Sequence, residues 1–549
     1  MIYIILGLIG SFLAIFIFQK LTEKRRSAKI EEIRKNWANQ KLENFDFDRI
    51  RIFADTVQDT KFHRLTDQTM DDIDFFDLFR FIDRTNSSVG QQFFFKKLIE
   101  PTNNTKDLTE ELVNLFSKDQ LLREEIQLEL MKLKHDDAYF IPTLLNGDLL
   151  EKPKWHKYLL LNIFTIIILI ALSFKFPVLI IALLFLFTLN MFIHYWNKNN
   201  TFQFLRSFPQ LNNLIHVSKT LITKDAFLYR PSIDENIAGF KPFQKQLRFI
   251  NLYNETGIQS ELTQLGSYLT ELIKAFFLVE VFALFGITRE LENKKEAIKN
   301  LINYIGEIDS SISIASLRAG KVKTCVPDFT AVGKKINAKG MFHPLIENCV
   351  KNDLSIDGKS ILITGSNMSG KSTFLRTLAI NSILAQSIYT CFADSFSTPL
   401  LKQFSSIRID DNLLDGTSYY FQEVNIMASL LDQVALPHQN LFFLDEVFKG
   451  TNTVERIAAS KAILSYLNSQ DNIVIVSTHD IELAEMLKKE YDLYHFSETV
   501  YENELHFDHH LKKGPLKTSN ALRLLELSGY PEKVISEARK LTSTLKSRQ

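Results

Sequence analysis

The chain is poor in cysteine and carries no net charge, and both shortages narrow what it can be. Only Cys325, Cys349 and Cys391 occur in 549 residues, widely spaced and without a CxxC pair. A disulfide framework or a zinc site is thereby set aside, a reducing compartment fits, and each thiol reads as a small buried hydrophobe. Lys plus Arg equals Asp plus Glu, at 64 each. Bulk charge therefore argues for neither nucleic acid nor an acidic partner, and any basic surface must come from local clustering. No internal repeat or low-complexity tract occurs. An A-x-A cleavage pattern is missing after the apolar N-terminus, so an uncleaved anchor is expected there in place of a secretory signal.

Phenylalanine, by contrast, is plentiful at 45 residues, and much of it sits in three apolar blocks. Residues 1–18 hold no charged side chain, and residues 158–174 and 178–196 form the other two blocks. Each approaches the roughly 17–25 residues that a spanning helix needs. Buried core helices are the alternative, yet those seldom stay apolar on every face for so long. "QKLTEKRR" follows the first block, and "EKPKWHK" and "NKNN" flank the other pair. Lys and Arg favour the cytoplasmic side, so the N-terminus is expected outside and the pair forms a hairpin turning at "KFP". The expectation is a multi-pass protein of the cell (inner, cytoplasmic) membrane, tied to the lipid bilayer by three transmembrane helices. Residues 20–157 and 197–549 would then lie in the cytoplasm.

Six segments follow along the chain: an N-terminal transmembrane anchor over 1–19, a juxtamembrane connector over 20–70, a first helical part over 71–150, the hairpin over 158–196, a second helical part over 200–325 and a C-terminal domain over 326–549. Apolar residues at i, i+3 and i+4 in "LTEELVNLFSKDQLLREEIQLELMKLK" give a helical period, and a long amphipathic stretch over 259–308 continues it. Its charge run "RELENKKEAIK" reads as a solvated helix face. Beyond Val326 the pattern changes. Short apolar, β-branched runs at 360–364, 441–446 and 472–480 each lead into a helical segment, the pattern of a mostly parallel sheet with helices packed on it.

The first of these runs leads into Gly365-Ser366-Asn367-Met368-Ser369-Gly370-Lys371-Ser372, which fits G-x-x-x-x-G-K-[ST] between a strand and a helix. Glycines let the backbone curl so that successive N–H groups face phosphate oxygens, and the helix start adds its positive end. Lys371 would reach the β- and γ-phosphates of ATP, and Ser372 would offer its hydroxyl to Mg²⁺. Asp445 and Glu446 end an apolar strand. There Asp445 suits Mg²⁺ held through water and Glu446 suits polarising the attacking water; an acidic pair opening a helix is the alternative. His479 ends another apolar strand, where it could contact a γ-phosphate. In "DGTSYYFQE", Ser418 and backbone N–H groups at a helix start could face an anion, or simply cap the helix.

Together these segments resemble the ATPase of the MutS family. "ITGSNMSGKSTFLR" is similar to its nucleotide loop, "LFFLDEVFKGTNTVER" to its Walker B segment, "DGTSYYFQE" to its Gly-x-Ser-x-Phe-x-x-Glu signature and "VSTHDIELAEML" to its Thr-His segment. "HPLIENCVKNDLSI" resembles the lead-in to that domain and "GPLKTSNALRLLELSGYPEKVISEARKL" its C-terminus, while "LFRFIDRTNSSVGQQFFFKKLIEPTNNTKDLTE" looks like the start of the MutS helical core. The resemblance implies an α/β P-loop ATPase domain of ABC/MutS type behind an all-α lever region. It implies ATP hydrolysis with Mg²⁺, ATP contacts from Gly365 through Thr373, and catalysis by Glu446 and His479. It further implies DNA as a partner and a homodimer in which Ser418 acts in trans on the partner's ATP.

The departures carry expectations too. The family's mismatch-reading domain, with its Phe-x-Glu wedge, has no room before the helical core, so DNA is expected to be held by phosphates or shape. The hairpin shortens or replaces the family's distal clamp, and no Smr-type nuclease domain follows the ATPase. Phe448 stands where the Walker B loop usually has its first Gly. An ATP-driven scaffold or remodeller of a membrane partner, without a DNA role, is the second reading. An ABC transporter is disfavoured by the few spans and the departure from an LSGGQ-type signature.

Overall fold

The computed structural model describes residues 2–58, 62–101, 108–145, 158–241, 244, 272–273, 275–278, 291–366, 368–408, 419–501, 504–516, 526 and 529–546. The chain divides into two compact units. Met1–Asp59, Ile82–Lys96 and Leu108–Ala319 form the first, and Thr60–Phe81, Lys97–Asp107 and Gly320–Gln549 form the second. Among the described residues the first unit is helical and strands occur only in the second, in keeping with a helical region ahead of an α/β domain.

The helix Lys295–Arg318 runs through the interior of the first unit. Its Ile298, Leu301, Ile302, Ile305, Ile308 and Ile312 are all buried at the three- and four-residue spacing of one helix face. Each such side chain contributes about 1.5–3 kcal/mol relative to exposure, and the helix packs on Leu108–Lys118. The same helix buries a carboxylate. Asp309 accepts the backbone N–H groups of Asn86 and Ser87, both at 2.8 Å, the Ser87 hydroxyl at 2.6 Å and Asn86 Nδ2 at 3.0 Å. Those donors offset its desolvation and fix the turn from which the helix Ser88–Ile99 starts.

The apolar hairpin belongs to this unit. The helix Leu159–Ser173 is followed by the 43-residue helix Leu179–Leu221, and Asn162 and Asn190 exchange reciprocal amide hydrogen bonds at 3.1 Å between them. The longer helix changes character along its length. Its first part exposes Ile181, Phe185 and Phe192, whereas Phe208, Leu211, Leu214 and Ile215 further on are buried.

Three membrane spans do not emerge. Among the described residues one helix segment, Leu179–Trp196, is long and apolar enough to cross a membrane, by length and composition alone. Leu159–Ser173 has 15 residues, so it reaches about 22 Å at 1.5 Å per residue, short of the about 30 Å hydrocarbon core. The N-terminal block lies on the helix Ile2–Asn36, and most of its side chains fall outside the described residues.

The second unit is built on strands β1 (Lys335–Met341), β2 (Asn352–Asp357), β3 (Ser360–Thr364), β4 (Ser395–Ser397), β5 (Lys402–Ser406), β6 (Asn440–Asp445), β7 (Ile473–Thr478), β8 (Tyr491–His495), β9 (Glu498–Tyr501), β10 (Glu504–Phe507) and β11 (Lys512–Lys513). The main sheet has the order β11-β8-β3-β7-β6-β5, in which only β11 runs antiparallel to its neighbour. A small antiparallel sheet, β2-β1-β4, and a β9–β10 pair accompany it. The runs read from sequence at 360–364, 441–446 and 472–480 become β3, β6 and β7.

Burial on both faces explains their unbroken apolar character. Leu362, Phe442, Leu444, Val474 and Val476 join one cluster with Met427, Leu430, Leu464, Leu467 and Leu483, which come from the helices Tyr419–Val434, Thr453–Leu467 and Ile481–Leu487. The alternate residues Ile361, Ile363, Phe443 and Ile475 are equally buried and point the other way. The helix Lys371–Ile388 packs on β6 and β7.

Residues 60–81 are part of this second unit. Asp72, fully buried, accepts Ser405 Oγ at 2.5 Å and the N–H groups of Ile407 and Arg408 at 3.0 and 2.7 Å. It thereby caps the C-terminal end of β5.

Candidate active site

Parallel strands end together at one edge of a sheet, and the connections leaving that edge are where α/β folds place ligands. Here β3, β6 and β7 deliver three such connections. After β3 the backbone takes a left-handed turn at Gly370, φ +109°, which caps the helix Lys371–Ile388. At Gly365 a Cβ would stand 2.8 Å from Ser369 Oγ and 3.0 Å from the Phe496 carbonyl, so glycine alone fits. Lys371 Nζ donates to the carbonyls of Gly365 and Ser366 at 2.7 and 2.9 Å. Its burial lowers its pKa, opposed by the charges of Glu446 and Asp445. Ser366 Oγ donates to Glu498 at 3.0 Å, and Thr373 lies just inside the helix.

Asp445 ends β6 facing this loop. It accepts Ser372 Oγ at 2.5 Å and also the hydroxyl of Ser477 on β7. Ser372 and Asp445 thus present two hard oxygen donors side by side, the set that suits Mg²⁺, which takes one or two carboxylates and fills its octahedron with water and phosphate oxygens. Glu446 adopts a left-handed backbone, φ +54°, and its N–H donates to the Ser477 carbonyl at 2.9 Å. Its carboxylate meets His479 Nδ1 at 3.4 Å and Lys449 Nζ at 3.2 Å. The hydrogen bond from His479 is the main cause that holds the Glu446 pKa at about 2, against the opposing effect of burial. The same contact raises the pKa of His479. Glu446 is accordingly an ionised acceptor throughout the physiological range.

Phe448 occupies the position where glycine was expected, and it still takes the left-handed conformation, φ +62°. For an L-residue that costs about 1–2 kcal/mol. The ring is buried and lies 5.9 Å from Tyr420, so packing holds the turn that glycine would have given freely. The next turn is held by Glu423, which accepts the N–H groups of Lys449 and Gly450 at 3.1 and 3.3 Å. Glu423 closes the "DGTSYYFQE" segment, yet spacing alone gave it no role. Arg456 forms a two-pronged contact with Asp480 at 2.9 and 3.1 Å, securing the segment that carries His479.

Beside the loop lies a cavity of about 290 Å³ lined by Ile346, Cys349, Val350, Phe374, Phe496 and His509 and reaching Gly370, Ser372 and Thr373. Its lining is mixed, with Asn348, Asn352, Thr377 and His509 set among the apolar side chains, and a few convergent polar groups are what orient a ligand in a small-molecule site. His509 Nδ1 is hydrogen-bonded to the Ser369 carbonyl at 3.0 Å. These lining residues come from the segments around 346–350, 496 and 509 and from the helix Lys371–Ile388, and no local spacing announces them.

Of the residues expected from sequence, Gly365, Ser366, Ser369, Gly370, Lys371, Ser372, Thr373, Asp445, Glu446 and His479 converge on this edge. Met368 is on the same loop with its side chain 71% exposed. Asn367 and Ser418 lie outside the described residues.

Residues 361–546 match the family model described as MutS domain V. The DNA mismatch repair protein MutS of Fusobacterium nucleatum is 30% identical over 277 residues, 48% of this chain and 30% of the relative. That of Pseudothermotoga lettingae is 31% identical over 271 residues, 47% and 33% of the two chains, and that of Thermus thermophilus 29% over 268 residues, 48% and 32%. The chain therefore spans about a third of the length of the curated relatives it matches. The family match covers β3, β6 and β7 with the loops that leave them, and it supports kinship with MutS for the part of the chain that holds the site.

Proposed function

We propose that this chain is a MutS-like ATPase that binds ATP at the Gly365–Thr373 loop, hydrolyses it and couples the cycle to DNA. The observation that carries the reading is the contact of Ser372 with Asp445, next to the Glu446–His479 pair and the loop held by Gly365 and Gly370. Lys371 turns its ammonium from the loop carbonyls to the phosphates. Glu446, kept ionised by His479, orients the attacking water and accepts its proton late, because a carboxylate of low pKa is a weak base. The contact with Glu446 favours the protonated form of His479, which would stabilise charge on the departing phosphate. Mg²⁺ held by Ser372 and Asp445 would neutralise phosphate charge. The nucleoside base takes the neighbouring cavity, between Val350, Phe374 and His509.

The relatives are DNA mismatch repair proteins by name, and DNA is the partner we infer, bound through phosphates or shape and not through a mismatch wedge. Affinity should then fall steeply with salt, and a single G·T mismatch should change it by well under the about 1–3 kcal/mol of base-specific readout. We also infer a homodimer completed by Ser418 in trans, set at the inner membrane with the ATPase in the cytoplasm.

Purified parent protein should hydrolyse ATP, and Lys371→Ala should lose nucleotide binding. Mixing Lys371→Ala with Ser418→Ala subunits should restore one of two sites; no rescue on mixing would argue for a self-sufficient monomer. The exposed apolar face of Leu179–Trp196 favours a second reading, an ATP-driven remodeller of a membrane partner. Absence of DNA binding at any salt would select it.

A further inference from the structure

The fold brings together two thiols that lie 66 positions apart in the sequence. Cys325 and Cys391 face each other in an isolated antiparallel bridge. The Cys325 N–H donates to the Cys391 carbonyl at 2.8 Å, and the Cys391 N–H donates to the Cys325 carbonyl at 2.9 Å. Residues that exchange both bonds are directly opposite, with side chains on one face and Cα atoms about 5.5 Å apart. That separation lies inside the roughly 4.4–6.8 Å range that disulfides span. We propose that Cys325 and Cys391 are a peroxide-sensitive modification site that closes to a disulfide.

The asymmetry of the pair suits the chemistry. Cys325 is half-buried, whereas Cys391 is fully buried. Hydrogen bonding to Cys391 lowers the Cys325 pKa, which favours the nucleophilic thiolate. The Cys325 thiolate attacks one oxygen of hydrogen peroxide, breaking the O–O bond and giving a sulfenic acid and hydroxide. The Cys391 sulfur then displaces the sulfenic hydroxyl, forming the S–S bond, and its proton leaves with that hydroxyl as water. Two thiols are oxidised by two electrons and one peroxide is reduced to two waters. The bond closes a loop that contains the whole helix Lys371–Ile388 and ties the chain entering the second unit to the far end of that helix. Cys349, beside the nucleotide cavity, is the internal control.

The full chain, purified in reduced form, is treated with hydrogen peroxide, and remaining thiols are alkylated in denaturant before a non-reducing digest. Alkylatable thiols should fall from three to one, Cys349, with a linked peptide joining 325 and 391 that disappears on adding dithiothreitol. Cys325→Ser should abolish the linked peptide and Cys349→Ser should leave it. The unfolding temperature of the parent should rise on oxidation and return on reduction, and that of Cys325→Ser should do neither. Three thiols still alkylatable, oxidation of Cys325 to sulfinic acid without a linked peptide, or a link through Cys349 would each overturn the proposal.

Discussion

In the helical unit Asp309 is wholly buried and takes the backbone N–H groups of Asn86 and Ser87 as well as the Ser87 hydroxyl and the Asn86 amide. In the nucleotide unit Asp445 is held by the hydroxyls of Ser372 and Ser477, and Glu446 by the side chains of His479 and Lys449. Backbone donors are fixed by the fold, and removing their acceptor strands them. Hydroxyls, an imidazole and an ammonium can turn toward a ligand. A buried carboxylate caught by main chain is therefore part of the architecture, whereas one caught by mobile side chains beside a cavity is free to change partners.

The contrast breaks most visibly at Asp309. Asp309→Ala strands the buried N–H and hydroxyl of Ser87 and the half-buried N–H of Asn86, and a stranded buried group costs about 1–3 kcal/mol, so denaturant unfolding should show a loss of about 3 kcal/mol. A loss under about 1 kcal/mol would remove Asp309 from the architectural class. Glu423 is the intermediate case, a buried side chain of the nucleotide unit that accepts main chain. Glu423→Ala should cost about 2 kcal/mol and lower ATP turnover as well, because the turn after Phe448 loosens. Asp445→Asn keeps the shape and leaves rotatable hydroxyls, so unfolding should shift by less than about 1 kcal/mol while the Mg²⁺ dependence of turnover is lost.

The smallest effect on the fold is expected at His479, and it sharpens the comparison through pH. The Glu446 pKa is lowered from 4.5 to about 2. A depressed carboxylate contributes stability above its ordinary pKa and loses it as pH falls from about 4.5 toward 2. His479 has a raised pKa, so its contribution is present below its ordinary 6.5 and is lost as pH rises through the raised value. His479→Gln should move the acid limb of the kcat/KM profile upward, toward the ordinary carboxylate range. An unmoved acid limb would show that His479 does not set the ionisation of Glu446.

Legibility in the sequence followed the same division. Lys371, Ser372, Asp445 and Glu446 were readable because phosphate and Mg²⁺ chemistry demands fixed spacing within one loop or at the end of one apolar strand. Strands β3, β6 and β7 were readable because burial on both faces leaves unbroken apolar runs. Asp309, Glu423, Asp72 and His509 were not, since each acts on a partner distant in sequence. The cysteines illustrate the limit: spacing made all three small buried hydrophobes, whereas only Cys391 is buried and Cys325 stands opposite it. Apolar composition overstated the membrane spans, because it registers greasy residues without registering that Leu159–Ser173 ends after 15 residues.

The most direct measurement is single-turnover ATP hydrolysis by Glu446→Ala, with nucleotide binding followed in parallel on the same protein. The account predicts ATP bound at close to the parent affinity and a hydrolysis step slowed by about 10²–10⁴-fold, the range a positioned acid–base group supplies. Hydrolysis at the parent rate would contradict it.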